Sequence, residues 1–227
     1  MKKIIVFLLL LISFLLLLIN LKTGNAISVY TAEEIKLENT SKNMVSAIVL
    51  DYRMLDTFFE VLVFTLAITG VSYYLKKLPE VKDFEFEKES GIVEIITPIL
   101  FQLLALLAFY AVVTGHVGTG GGFSAGVILG TALLGVTFVK PIEDIERVFK
   151  KSKIEKYKYL TPLIIVIYGM LGKIWGGEFF CNFPILGNYG HLFSGGSAIF
   201  LNFLIGIEVF AGTWTILYKF IKHRGML

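Results

Sequence analysis

The chain alternates between long apolar runs and short polar connections. Six runs stand out: Ile4 to Leu21, Phe58 to Leu75, Ile95 to Val113, Phe123 to Val139, Tyr159 to Trp175 and Ile199 to Leu217. Each matches the roughly 17 to 25 residues that a helix needs to cross the hydrocarbon of a bilayer. None alternates with a period of two, so the pattern predicts helices and not a membrane barrel. The expected fold class is an all-α integral membrane protein of about six transmembrane helices.

Composition supports that reading. Of 227 residues, 56% are hydrophobic, and the mean hydropathy is +0.76, more apolar surface than a soluble core of this length hides. Lys2 and Lys3 ahead of the first run, with Gly24-Asn25-Ala26 behind it, have the outline of a cleaved signal. The apolar stretch exceeds a usual signal core, so a retained helix is expected. With the N-terminus inside, sixteen of the 21 Lys and Arg fall on the inner side, and both termini are expected to be cytoplasmic. The lysine-rich stretch from Lys150 to Lys158 then fixes topology, and with a net charge of only +3 it implies no nucleic acid.

One cysteine, Cys181, and three scattered histidines, His116, His191 and His223, provide neither a disulfide nor metal-ligand spacing. No metal, iron-sulfur cluster or other cofactor is expected on this chain, nor is enzymatic activity.

Charge also divides the chain. Residues 78–90, LPEVKDFEFEKES, are its most densely charged stretch and read as a linker. They separate an N-terminal two-helix module, residues 1–77, from a four-helix module, residues 91–227. At the mouth of the second run, Asp51, Arg53 and Asp56 form an expected interfacial cluster in which Arg53 pairs with its neighbours. Glu60, one turn further in, is a candidate docking or proton-relay carboxylate, because an acid in hydrocarbon is costly unless used or paired. Thr97-Pro98 suits a helix start. Gln102, alone among apolar residues, predicts a helix–helix contact. The connection from Gly176 to Gly196 has a length that often marks a functional or covering segment, but a plain surface loop is the expected reading.

Between the third and fourth runs lies GHVGTGGGFSAG, Gly115 to Gly126. It lacks the G-x-G-x-x-G spacing, a preceding strand and a Walker lysine, so it is no phosphate loop; Gly172-Lys173 fails too, with Ile174 where Ser or Thr is required. Lys173 is expected to snorkel to the interface and is a minor ion-path candidate. Non-helical backbone at membrane depth must be buried in protein or face a water-filled cavity, and glycine permits positive φ and close helix approach. The loop, built on Gly115, Gly120, Gly121, Gly122 and Phe123, is therefore expected to be covered by another chain. His116 is its only group titrating near neutrality. Glu208, between Ile207 and Val209 in the last run, is the most deeply placed carboxylate. Its helical face also carries Gly212 and Thr215, which predicts a close partner helix and a hydroxyl beside it.

The segment Thr97 to Gly126, TPILFQLLALLAFYAVVTGHVGTGGGFSAG, resembles the MrpB component of the Mrp-type multisubunit cation/proton antiporters. That pattern has Gly-His, a short spacer and Pro-Gly-Gly-Gly-Phe; Thr119 replaces the proline here. The likeness runs from Glu94 to Leu217 and includes LFSGGSAIFLNFLIGIEVFAGTW, Leu192 to Trp214. Asn43 to Gly70, centred on LDYRMLDTFFE, is similar to the C-terminal extension of the large MrpA-type component of such antiporters, a piece that occurs as a small separate component, the E-type one, in membrane-bound hydrogenases. The resemblance implies a non-catalytic subunit of a Na+/H+ antiporter module, standing alone or joined to a hydrogenase-like or sulfur-reductase-like respiratory complex. It implies A-, C- and D-like neighbours, with Na+ and H+ as the ions carried. A self-contained small transporter and a pure assembly scaffold are the alternatives; the unequal halves show no inverted repeat of the kind such transporters carry.

Overall fold

The computed structural model describes residues 38–78, 91–149, 151–183 and 187–223, together with Leu11, Leu15 and Ile35. All of the expected first span but Leu11 and Leu15, nearly all of the charged linker and both termini lie outside the described residues. Among those residues there is no strand. The elements are α1 (Met44–Ala47), running on into a π-helical turn (Ile48–Tyr52), then α2 (Met54–Leu75), α3 (Gly91–Thr114), α4 (Gly122–Val136), α5 (Ile142–Val148), α6 (Lys151–Gly176) and α7 (Ala198–Lys222).

Four of these, α2, α3, α6 and α7, are long and apolar enough to cross a membrane. The chain is a multi-pass membrane protein. The expected span at Phe123 to Val139 is α4, whose 15 residues cover only about 22 Å at 1.5 Å per residue, short of a bilayer core. Gly121 N–H donates to the Ala111 carbonyl at 3.0 Å, so α4 starts level with the last turn of α3.

Helix α3 begins at Gly91, seven residues ahead of the expected start, and Pro98 lies inside it. Proline inside a membrane helix costs one backbone bond, a loss that such helices accommodate locally.

Helix α7 is the axis of the bundle. Of its apolar stretch, 61% is buried within the chain, against 6% for α3. Its middle packs against α2 and α6 through Phe58, Val61, Ile165, Val166, Leu201, Ile205 and Val209. Toward its C-terminal end Trp214 and Tyr218 close over Leu133 and Ile145. Its third side meets α4, where Gly122, Gly126 and Gly130 recur every four residues and so line one face. A Cβ on Gly126 would fall 2.6 Å from Val209 Cβ and 2.8 Å from the Gly206 carbonyl oxygen. Hydrogen there allows the backbones to touch, which is how membrane helices gain dispersion energy when lipid offers no hydrophobic drive.

Candidate functional site

Polar groups inside the bundle gather at three levels along α7. At the end carrying the glycine loop, Asn43 ties the two halves of the chain together. Its backbone N–H donates to the His116 carbonyl at 2.9 Å, and its amide Nδ2 donates to the carbonyls of Gly115 and Gly118, both at 2.7 Å. Its Oδ1 accepts the N–H groups of Val45 and Ser46, capping α1. On the far side of the loop, Asn202 Oδ1 of α7 accepts Gly122 N–H at 2.9 Å. The cover over Gly122 therefore comes from α7 of the same chain, correcting the expectation that another chain supplies it there; Gly118, Thr119 and Gly120 remain exposed. Gly121 has φ of 143°, a region that disfavours any Cβ. A Cβ on Gly115 would fall 2.9 Å from Gly121 N and 3.0 Å from Gly121 Cα, and Phe123 is half-buried against the core.

His116 is fully buried, and neither ring nitrogen meets a hydrogen-bond partner. Burial holds its imidazole below the ordinary range, an effect opposed by the nearby backbone of His191 and Leu192. The long connection after α6 is more than the plain surface loop expected of it, since it lies over part of the bundle. It is pinned by Gly195 N–H to Thr40 Oγ1 at 2.9 Å, and its Phe180 packs on Phe58 with ring centroids 5.8 Å apart. Beneath it runs a polar chain: the Tyr168 hydroxyl donates to Ser197 Oγ at 2.7 Å, Ser197 donates to Asn182 Oδ1 at 3.0 Å, and Asn182 Nδ2 reaches Asp51 Oδ2 at 3.3 Å. Asn39 Nδ2 donates to the same oxygen at 2.6 Å. Burial pushes the Asp51 carboxyl above the usual range, and the two amide donors partly offset it.

The expected cluster therefore divides in two. Asp51, on the π-helical turn, points into this network. Arg53 and Asp56 form an exposed ion pair one turn on, Arg53 Nε donating to Asp56 Oδ2 at 2.6 Å, an arrangement worth little in stability. Glu60 is exposed on the outer side of α2, and Lys173 is exposed in the last turn of α6. Neither joins the other candidates within the described residues.

Midway along α7, Glu208 is fully buried. Its Oε1 shares a short hydrogen bond with the Thr65 hydroxyl of α2, while Oε2 has no partner. Thr65 Oγ1 also lies 3.3 Å from the Lys158 carbonyl of α6, so three helices meet at this hydroxyl. Of the sequence expectation, the close helix is present and the hydroxyl comes from a different residue. The close helix is α2: a Cβ on Gly212 would strike Ile68 Cδ1 at 2.1 Å and Phe64 Cε1 at 2.7 Å. The hydroxyl is Thr65, because Thr215 donates its own to the Ala211 carbonyl at 2.7 Å. Gln102 faces outward from α3, uncovered by the described residues.

At the opposite end, Lys219 is buried and its Nζ donates to the Ser72 carbonyl at 2.8 Å. Glu146 of α5 accepts the Tyr218 hydroxyl at 2.7 Å and stands 3.7 Å from Lys222 Nζ. No group of His, Cys, Asp and Glu among the described residues is arranged to hold a metal.

Residues 92–215, the glycine loop and Glu208 among them, match a domain related to the MnhB subunit of Na+/H+ antiporters. The chain belongs to the MnhB-related family. An uncharacterized protein of Methanocaldococcus jannaschii is 26% identical over 196 residues, covering 76% of this chain and 74% of that relative. Among solved structures, a chain of the membrane-bound sulfane sulfur reductase, an archaeal respiratory membrane complex, superposes with a TM-score of 0.68 at 28% identity, covering 97% of this chain and 98% of that one. A chain of the Mrp complex from Dietzia sp. DQ12-45-1b shares the fold with a TM-score of 0.65 at 20% identity. There 85% of this chain matches 22% of a much longer one.

Sequence reasoning assigned no role to Asn43, Thr65 and Asn202 in this MnhB-related chain. Asn202 had a visible signal: it is a lone amide in an apolar run, the feature that drew notice to Gln102. The every-fourth glycine of α4 was equally visible as a small-residue stripe. Thr65 had none, since a hydroxyl in a membrane helix usually satisfies itself on its own backbone, as Thr215 does.

Proposed function

We propose that the chain is a non-catalytic membrane subunit of a Mrp-type Na+/H+ antiporter module carried within a respiratory complex of the sulfane-sulfur-reductase or hydrogenase kind. The observation that supports this best is the end-to-end match to one chain of the sulfane sulfur reductase. Both the N-terminal helices and the MnhB-related part have counterparts there, over 97% of one chain and 98% of the other.

On this reading residues 1–77 and 91–227 are two ancestral pieces joined by 78–90. Their helices now share one core, with Thr65, Phe64 and Ile68 of α2 seated on α7. The outward side of α3, bearing Gln102, is where A-, C- or D-like subunits dock, because an amide facing lipid is costly and a neighbouring helix relieves it. The buried pair Glu208–Thr65 is the candidate carboxylate on a proton or Na+ path. His116 and Asp51 govern polarity at the loop end, and Glu60 is presented to a neighbouring subunit.

Purification of the tagged full-length chain in mild detergent, with mass spectrometry of what accompanies it, tests the proposal. Antiporter components of the A-, C- and D-like kinds are expected in the same particle. A stable monomer that exchanges Na+ for H+ by itself in vesicles would overturn it and favour the self-contained transporter.

A further inference from the structure

Three hydroxyls line the seam where α2 meets α6, and they lead outward from Glu208. Thr65 Oγ1 stands between two acceptors, Glu208 Oε1 of α7 and the Lys158 carbonyl of α6. A hydroxyl has one hydrogen to give and lone pairs with which to receive another. With Glu208 ionised, that hydrogen goes to the carboxylate. With Glu208 protonated, the acid donates to Thr65 Oγ1, and Thr65 turns its own hydrogen to the Lys158 carbonyl. One hydroxyl thus satisfies both protonation states of a buried acid without any helix moving, which a partner limited to donating or to accepting does not. One turn further along α2, Thr69 donates to the Thr65 carbonyl at 2.7 Å. Its hydrogen is committed there, so the Tyr159 hydroxyl, 3.3 Å away, is the donor to Thr69 Oγ1. Thr65 and Thr69 are half-buried and Tyr159 is exposed. Side chains four residues apart on a helix stand about 5–6 Å from each other, a gap that a bridging water spans.

We propose that this seam is a proton passage between Glu208 and the membrane surface, with Thr65 as the group that passes the proton to and from the acid. The proposal rests on the reading of Glu208 as an acid on an ion path, and it names the residues through which protons reach it. Each hydroxyl accepts a proton on its oxygen and releases its own, so only Glu208 changes protonation. The outer end of the seam lies at the level of the exposed tyrosines Tyr73, Tyr74 and Tyr157. Lys77 Nζ stands 4.5 Å from the Tyr73 ring centre, and Lys158 Nζ 4.9 Å from that of Tyr159. Tyrosine gathered with lysine near helix ends marks the level where hydrocarbon gives way to headgroups and water, so protons are available there. Thr65 and Thr69 belong to α2, ahead of the MnhB-related residues 92–215, whereas Tyr159 and Glu208 lie within them. The passage is therefore complete only where the two parts of the chain meet.

The test reconstitutes the purified complex containing the full chain in vesicles and follows Na+-dependent proton movement with a pH-sensitive dye. The double variant Thr69→Val/Tyr159→Phe removes two hydroxyls and keeps the branched shape and the ring. It should assemble and melt as wild type does, while proton movement slows by about threefold or more. Thr65→Val should slow it by about tenfold or more, and Thr65→Ser, which keeps the hydroxyl, should recover most of the wild-type rate. A packing role for Thr65 predicts the opposite order, because Val keeps the volume that Ser loses. Should Thr65→Val assemble poorly, the double variant at the half-buried and exposed positions still decides. Thr137→Val is the control: that hydroxyl donates to the Leu134 carbonyl at 2.6 Å, far from the seam, and its loss should leave the rate unchanged. An unchanged rate in the double variant, or Thr65→Ser no faster than Thr65→Val, with Glu208→Gln impaired, would overturn the passage and leave the role of Glu208 standing. An unchanged rate in Glu208→Gln as well would remove the acid on which both readings rest.

Discussion

Gly122→Ala is the smallest perturbation that tests how α4 is held. The added methyl would lie 2.4 Å from the Asn202 carbonyl oxygen, 2.8 Å from Ile205 Cβ and 3.0 Å from Gly206 N. Two of these are backbone atoms of α7, so no rotamer change relieves the contact. Comfortable approach of carbon to a heavy atom is about 3.5 Å, and the helices must part by about 1 Å. That movement also stretches the Gly122 N–H bond to Asn202 Oδ1, now 2.9 Å, out of the useful range. Overpacking of this kind costs about 1–3 kcal/mol and the lost bond about 1 kcal/mol more. A total of about 2–4 kcal/mol corresponds to roughly 30- to 700-fold in the folded population.

Gly135→Ala is the matched control. It sits in the same helix with nothing within 4 Å of the new methyl, and alanine is the better helix former. The complex carrying each variant is heated in mild detergent and the surviving monodisperse fraction measured by size exclusion. Gly122→Ala should melt several degrees below wild type, while Gly135→Ala should match or exceed it. If the two variants melt together, the close approach of α4 to α7 is not what holds the loop.

Glu208→Gln keeps the acceptor for Thr65 and discards titration, so the complex should assemble while Na+-dependent proton transport in vesicles falls by about tenfold or more; an unchanged rate makes the residue structural. For His116 the linkage sign follows from its lowered folded-state pKa. Below the ordinary imidazole value the unfolded chain binds the proton that the folded chain resists, so stability present at neutral pH is lost as pH falls through about 6.5 and below. His116→Phe should therefore flatten the melting temperature between about pH 7 and pH 5, and a slope equal to that of wild type would show that the histidine does not sense pH.

How much of this was legible beforehand depended on whether a residue's partner lay near in sequence. The spans, the glycine loop as a packing device and the burial of Glu208 all follow from local pattern, because hydrocarbon punishes polar groups wherever the rest of the fold lies. Which chain covers the loop did not follow. The deciding bonds, Asn43 to Gly115 and Gly122 to Asn202, join positions 72 and 80 residues apart. The division of Asp51 from Arg53 and Asp56 was hidden for a different reason. Asp51 stands in the π-helical turn at Ile48–Tyr52, and Arg53, with φ of -121°, separates that turn from α2, so the angle between Asp51 and Asp56 is not one that a single regular helix sets, and Asp51 reaches Asn182.

The contrast between α7 and α3 connects packing to assembly. Asn202, Glu208 and Lys219 all lie on α7, and each has a partner supplied by another helix: Gly122 of α4, Thr65 of α2 and Ser72 of α2. A helix at the axis can carry an amide, an acid and a base because its neighbours hydrogen-bond them where lipid would not. Helix α3 carries an amide in its apolar stretch, Gln102, and leaves it facing outward among Ile99, Leu103 and Leu106, all exposed. On the proposed assembly, the requirement that α7 meets inside the chain is met for α3 from outside it, by a further membrane helix against the face that carries Gln102.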